Sequence, residues 1–157
     1  MTTTNAMRLL SQAGIEYGTS EYEVDESDLS GVHAAQMLGV EPDQVFKTLV
    51  ARGERTGIAV FCIPVAEELD LKKCAAAMGD KKVEMIHVKE LLGLTGYIRG
   101  GCSPIGMKKK YPTWIDEIAT LFDRIFVSAG MRGQQLIVDP EDLRAYTCAK
   151  FADLTKR

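Results

Sequence analysis

The residues most able to do chemistry in this chain lie between Gly96 and Asp116, in the stretch GYIRGGCSPIGMKKKYPTWID. Gly100, Gly101 and Gly106 allow backbone amides to approach a ligand with no Cβ in the way. Cys102 and Ser103 sit among them, Ser103 offers a hydroxyl, and Pro104 stiffens the turn. Lys108, Lys109 and Lys110 follow at once, so a polyanion reaching the loop meets three positive charges beside it. Such a loop can cradle an anion or a developing oxyanion. A plain structural turn next to solvated lysines is the competing reading. The spacing from Gly101 to Gly106 suggests a nucleotide P-loop, but Met107 stands where that motif has lysine, and the motif fails.

Lys47 is the second residue with chemical promise. It falls in Val45-Phe46-Lys47-Thr48-Leu49-Val50, a strand-like run whose alternation puts Val45, Lys47 and Leu49 on one face and Phe46, Thr48 and Val50 on the other. An unpaired ammonium in a core is very costly. Lys47 therefore either holds an anion or snorkels to water along an edge strand. Ser128-Ala129-Gly130-Met131-Arg132-Gly133 is a second glycine-bounded turn, where Ser128 can bond a substrate and Arg132 a phosphate, or both can serve the turn itself. Tyr22 lies in an acidic stretch and either stacks on a base or packs against the sheet. His33 and His87 have no acidic or nucleophilic neighbour at a recognisable spacing, and no serine or cysteine triad is visible.

Composition narrows the class. With 157 residues, 46% hydrophobic and 26% charged, the chain fits one globular domain over residues 1–157. The longest nearly apolar run, Ile58 to Ala66, is too short to span a bilayer and contains Pro64. The N-terminus does not read as a secretory signal, so a cytoplasmic protein is expected. Cys62, Cys74, Cys102 and Cys148 are widely separated, with no C-x-x-C; neither a disulfide scaffold, a metal site nor any cofactor is expected. The net charge of −3 is unevenly spread: −8 over residues 1–70, +6 over 71–110 and −1 over 111–157. The basic excess thus coincides with the glycine loop, which makes a local nucleic-acid surface plausible inside an acidic protein.

The elements that must position these residues are short and mixed. Thr3 or Thr4 can cap a helix through Ala13, followed by a strand from Tyr17 to Val24 and a helix capped by Ser30 and stopped at Gly39. Arg52 to Gly57 reads as the turn of a hairpin into Ile58–Ile63. Leu69–Met78 has helical spacing, Val83–Ile86 reads as a strand, Val88–Leu92 as a helix and Tyr97–Arg99 as a strand entering the loop. Pro112–Asp116, Ile125–Ser128 and Leu136–Val138 look extended, and Asp139 caps a closing helix from Pro140 to Tyr146. No βαβ period or internal repeat appears. The expected fold is α+β, a mixed, mainly antiparallel sheet or barrel-like core flanked by short helices.

Four of these stretches, taken in order, resemble the YbaK/EbsC family of aminoacyl-tRNA editing proteins, which is related to the insertion domain of prolyl-tRNA synthetases. They are Val45 to Leu49, Gly96-Tyr97 through Gly106, the lysine run with Pro112-Thr113, and Val127 to Gly133. Leu69-Asp70-Leu71-Lys72-Lys73 and Lys81 to Met85 are most similar to its branch of Cys-tRNA(Pro) and Cys-tRNA(Cys) deacylases. The resemblance implies that Lys47 is the family's essential lysine, holding the terminal phosphate. It makes Tyr22, Thr48, Ser128, Gly130 and Arg132 substrate-binding residues, together with Gly100, Cys102, Ser103 and Pro104. Gly100 to Pro104 matches the G-x-x-x-P loop, whose amides, that of Gly101 included, would stabilise the oxyanion. Gln135 stands where the family commonly has aspartate.

The implied activity is trans-editing of mischarged Cys-tRNA(Pro), and also of Cys-tRNA(Cys), with the lysine run contacting the tRNA. An aminoacyl ester is already activated, so a protein that only orients it can speed its breakdown. The cysteine thiol can attack its own ester, making the enzyme formally a lyase; water attack would make it a hydrolase. The implied partners are the 3′ end of aminoacyl-tRNA and a prolyl-tRNA synthetase in a ternary complex, without DNA or membrane. Two rivals stay open: hydrolytic editing of Ala-tRNA(Pro) or another small aminoacyl-tRNA, and a non-catalytic module binding tRNA or synthetase.

Overall fold

A computed structural model describes residues 2–157 as two sheets meeting at one joint, with helices covering their outer faces. Thr4 caps α1 (Asn5–Gln12) by accepting from the Met7 amide at 3.2 Å, and the stripe Ala6, Met7 and Leu10 is buried. The small sheet has the order β1 (Tyr17–Glu21), β7 (Gln134–Val138), β6 (Ile125–Ser128), antiparallel throughout. In the large sheet, β2 (Phe46–Gly53) and β3 (Gly57–Pro64) form the expected hairpin, paired from Phe46↔Pro64 to Gly53↔Gly57. β4 (Val83–Met85) joins the outer edge of β2, while β5 (Thr113–Asp116) and β8 (Lys150–Ala152) add in parallel on the other side. A parallel bridge between Val45 and Phe126 ties the two sheets together, and among the described residues they do not close into a barrel.

The main core lies between the sheets. Phe46, Cys62 and Ile115 of the large sheet meet Ile125, Val127, Leu136 and Val138 of the small one, and α1 and α5 (Pro140–Thr147) close the ends with Leu10 and Leu143. A second cluster covers the far face of the large sheet. Ala51, Ala59, Phe61 and Ile63 pack there on Cys74 and Ala75 of α3 (Leu71–Met78) and on Leu154, and Phe61 stacks on Trp114 with ring centroids 5.6 Å apart. At the joint, Ala35 of α2 (Gly31–Leu38) packs on Val45, Val65 and Phe126.

Several expected elements shift. α3 starts at Leu71, because Asp70 accepts from the Lys72 and Lys73 amides and acts as N-cap. α4 runs Val88–Thr95, longer than its apolar stripe suggested, and ends on Gly96 at φ 87°. The strand expected over Tyr97–Arg99 does not form. The chain turns sharply after Gly96, the Gly101 amide closes a turn onto Ile98 O at 3.0 Å, and the Tyr97 hydroxyl donates to Ile105 O across the loop. β8 and a 3₁₀ turn over Glu117–Leu121 carry no legible periodicity and are seen only in the structure.

One element bears directly on the site. β4 pairs with β2 only at Ala51, Arg52 and Gly53, and the joint to β6 engages only Val45. The edge of β2 from Phe46 to Leu49 is therefore left without a partner strand. Asp116 anchors the opposite side of this sheet: it is 5% exposed and accepts from the Ile118 and Leu154 amides at 3.1 and 3.0 Å. Replacing it with alanine strands both donors, so Asp116→Ala is expected to lower unfolding free energy by about 2–4 kcal/mol, read as a reduced urea midpoint.

Candidate active site

The open edge of β2 forms one side of a cavity of about 430 Å³. Its other walls come from the start of α2, from Met85, Ile86 and α4, and from the Arg99–Cys102 loop. Gly31 permits this closure, because a Cβ there would sit 2.4 Å from Val65 Cγ1. The volume suits a small ligand.

Six of the residues singled out from sequence meet here: Tyr22, Lys47, Thr48, Gly100, Cys102 and Ser128. Thr48 and Lys47 leave opposite faces of β2. Thr48 is buried beside Cys62, with Oγ1 and Sγ 3.8 Å apart. Lys47 shares its face with Ile63 and Phe61 and is half-buried. Burial pushes its ammonium below the ordinary lysine pKa, and the charges of Glu68 and Glu67 push it partly back. Neither carboxylate touches it, and among the described residues Lys47 has no ion pair within 4 Å. Its charge is thus desolvated and uncommitted.

Ser128 is 9% exposed; its Oγ accepts from the Gly130 amide at 3.1 Å, leaving its hydroxyl hydrogen to donate. Burial raises the Tyr22 phenol, and it pushes the Cys102 thiol up to about 12. Cys102 is consequently a neutral wall and no nucleophile near neutral pH. Its backbone N–H has no acceptor among the described residues, so it is a candidate oxyanion donor.

Other expected contacts are instead the loop's scaffolding. The Gly101 amide is committed to Ile98 O, and a Cβ on Gly101 would lie 3.1 Å from Arg132 N. Ser103 is fully buried and its Oγ accepts from the Ile105 amide. Arg132 donates through Nε to Arg99 O at 2.8 Å and pairs with Glu26 at 2.9 Å, bracing the loop from behind. Gly130 admits the Tyr97 ring, since a Cβ there would come within 2.9 Å of Cε1. Pro104, Lys109 and Lys110 line a separate cavity of about 310 Å³ on the other side of the loop, and Lys108 is exposed nearby.

Gln135 of β7, paired with Ser128 of β6, also faces the main cavity and is 6% exposed, and its Oε1 has no hydrogen-bond partner. A buried acceptor left open at a cavity wall is unusual unless a ligand completes it. Arg99 and the α2 and α4 walls were missed from sequence because their wall positions depend on packing. Arg99 alone had a signal, its place directly before Gly100-Gly101.

The family model of the aminoacyl-tRNA editing domain matches residues 29–146, which includes every wall of the cavity except Tyr22. This chain belongs to the aminoacyl-tRNA editing domain family. This editing domain is 49% identical over 154 residues to EbsC of Enterococcus faecalis, named as a candidate Cys-tRNA(Pro)/Cys-tRNA(Cys) deacylase, covering 98% of this chain and 94% of that one. It is 27% identical to a Thermosipho melanesiensis proline–tRNA ligase, matching 85% of this chain but 25% of the ligase. A solved structure described as a candidate trans-editing enzyme for prolyl tRNA synthetase superposes over the full length of both chains with a TM-score of 0.82 at 27% identity. No helix among the described residues is long and apolar enough to cross a membrane.

The lowered Lys47 pKa has a direct consequence. The ammonium is charged below that pKa and neutral above it, so its charge is lost as pH rises earlier than an ordinary lysine's. Since burial disfavours the charged form, losing the proton relieves a penalty and this group gives no alkaline unfolding. Enzyme-dependent deacylation, corrected for the spontaneous rate, is expected to show this alkaline limb, and Lys47→Arg should move it upward. Cys102→Ala should retain activity within about threefold, since its thiol stays protonated.

Proposed function

We propose that this editing domain deacylates Cys-tRNA(Pro), and Cys-tRNA(Cys) as a related substrate, at the 3′ end of the tRNA. The observation that carries the reading is the pairing of an uncommitted, half-buried ammonium with a cavity whose walls contain no histidine and no carboxylate. Such a site can hold and polarise an ester but supplies no general base of ordinary pKa. An aminoacyl ester of cysteine brings its own nucleophile.

In this reading Lys47 binds the terminal phosphate, and the 3′-ribose ester enters between the β2 edge and the loop. The substrate thiolate attacks its own carbonyl carbon, and a new C–S bond forms as the carbonyl oxygen gains charge. The Cys102 amide donates to that oxygen, with the Ser128 hydroxyl as a second donor. The tetrahedral centre then collapses, the bond from carbonyl carbon to ribose O3′ breaks, and the ribose oxygen takes a proton from solvent in place of the one the thiol released to solvent on ionising. The products are tRNA and a cyclic thiolactone. The open Oε1 of Gln135 accepts from the substrate's α-amino group, and the apolar walls from Ala34, Val45 and Val65 favour a small side chain. Holding reactants in an attack geometry is itself worth several powers of ten in rate.

Lys108, Lys109 and Lys110 are exposed beside the loop and suit contact with the acceptor stem. Because the rest of the chain is acidic, we infer that a prolyl-tRNA synthetase supplies part of the affinity in a ternary complex.

The test is deacylation of Cys-tRNA(Pro) and Ala-tRNA(Pro) side by side, with the released product trapped. Thiolactone or its rearranged products from the cysteinyl substrate, with little turnover of the alanyl one, is the expected result. Free alanine released at a comparable rate would favour water attack instead. Lys47→Ala is expected to reduce kcat/KM by about 100-fold or more while the protein stays folded. Gln135→Leu, which is close in volume, should raise KM about tenfold through loss of one acceptor to a charged donor.

A further inference from the structure

The reading of Lys47 as an anion-binding group raises a question of charge. Two carboxylates, Glu67 and Glu68, lie three and four residues past the end of β3 and are close enough to act on the Lys47 ammonium electrostatically. A flexible glutamate near a desolvated ammonium would ordinarily close on it. A closed ion pair would compete with any phosphate for the same charge.

The structure shows what holds these carboxylates elsewhere. Arg157 NH2 lies 3.0 Å from Glu67 Oε2 and 2.7 Å from Asp43 Oδ1, so one guanidinium clamps Glu67 to the turn before β2. Lys156 Nζ lies 3.0 Å from Glu68 Oε2. Both basic residues belong to a strap that is fixed in place. Asp70 N donates to Leu154 O at 2.8 Å, Leu69 bridges Thr155, Lys156 N donates to Glu68 O, and Lys73 Nζ donates to Thr155 O at 2.7 Å.

We propose that Arg157, assisted by Lys156, is a positioning residue for the editing reaction: it draws Glu67 and Glu68 away from Lys47, leaving that ammonium open to the substrate phosphate. Arg157 carries most of the effect. Its partner Glu67 has a side chain 23% exposed, whereas Glu68 is 74% exposed and its pair with Lys156 is screened by solvent. Held at a distance, the two carboxylates still favour the charged ammonium without occupying it.

The experiment measures kcat, KM and the alkaline midpoint for Cys-tRNA(Pro) in four proteins: wild type, Lys156→Ala/Arg157→Ala, Glu67→Gln/Glu68→Gln, and the combination of all four changes. The charged or titratable groups around Lys47 are Glu67 and Glu68 after β3, Tyr22 after β1, and Arg99 and Cys102 of the loop; of these only Glu67 and Glu68 are paired with the residues the alanine variant removes. The alanine variant is expected to raise KM about tenfold with kcat little changed, and to move the alkaline midpoint upward as the freed carboxylates close on Lys47. Adding the two glutamines should restore KM to within about twofold of wild type. An unchanged KM and midpoint in a folded alanine variant overturns the proposal, as does a raised KM that the glutamines leave in place, since that marks loss of the strap's structural role alone. Should the alanine variant unfold, Arg157→Gln in its place carries the same expectations. Wild-type activity in Lys47→Ala would instead refute the anion-binding reading on which the strap depends.

Discussion

A positive charge on a partly desolvated strand edge is the constraint to which the rest of this structure answers. An ammonium in that position is unfavourable unless something compensates it. The surroundings of Lys47 compensate only in part: two carboxylates act on it from a distance, and neither forms a contact pair with it. The edge itself exists because β4 is three residues long and pairs no further along β2 than Ala51. A longer β4 would extend the ladder across the cavity. A shorter one would uncover the second apolar cluster, where Val83 is buried. The site is therefore the place where the large sheet stops pairing.

The glycine loop opposite is rigid for reasons located mostly behind it. Arg132 holds Arg99 O, Gly101 turns back on Ile98 O, Ser103 caps the Ile105 amide, and Tyr97 packs over Gly130. Each of these is engaged within the protein, whereas the Cys102 amide and the side-chain Oε1 of Gln135 have no internal partner among the described residues. Open donors from the Cys102 amide and the Ser128 hydroxyl and an open acceptor at Gln135 Oε1, all on fixed elements, suit a small polar ligand better than a flexible loop would, since little ordering remains to be done on binding. The missing acid–base pair follows the same economy: where the substrate is an activated ester with an internal thiol, orientation and a polarising donor are sufficient.

Much of the fold was legible because it rests on local rules. The caps at Thr4, Ser30 and Asp139, the stop at Gly39, and the hairpin around residues 54–56 all depend on side chains and backbone angles within a few positions of one another. The extent of α4 was not legible, since its last turn lies beyond the apolar stripe and ends on the conformation of Gly96. The supposed strand at Tyr97–Arg99 shows the limit clearly. Its residues have strand composition, but a glycine cap before it and a tyrosine hydrogen bond across it leave no partner to pair with.

The sequence by itself determined which residues carry the chemistry's raw materials: one lysine in an apolar strand, a glycine-shaped loop, and a basic segment in an acidic chain. Those are facts of residue type and neighbourhood, which composition and spacing express directly. Only the tertiary structure decided the division of labour among them. Tyr22, Thr48, Cys102 and Ser128 come from four separate elements and share one cavity, whereas Gly101, Ser103, Gly130 and Arg132 turn their capacity inward to brace it. The physical reason is that an amide or hydroxyl is available to a ligand only when no internal partner satisfies it, and those partners lie far along the chain, 33 positions for Arg132 and Arg99 and 106 for Arg132 and Glu26. The same holds for Arg157 and Asp43, 114 positions apart, whose pairing no local pattern could announce.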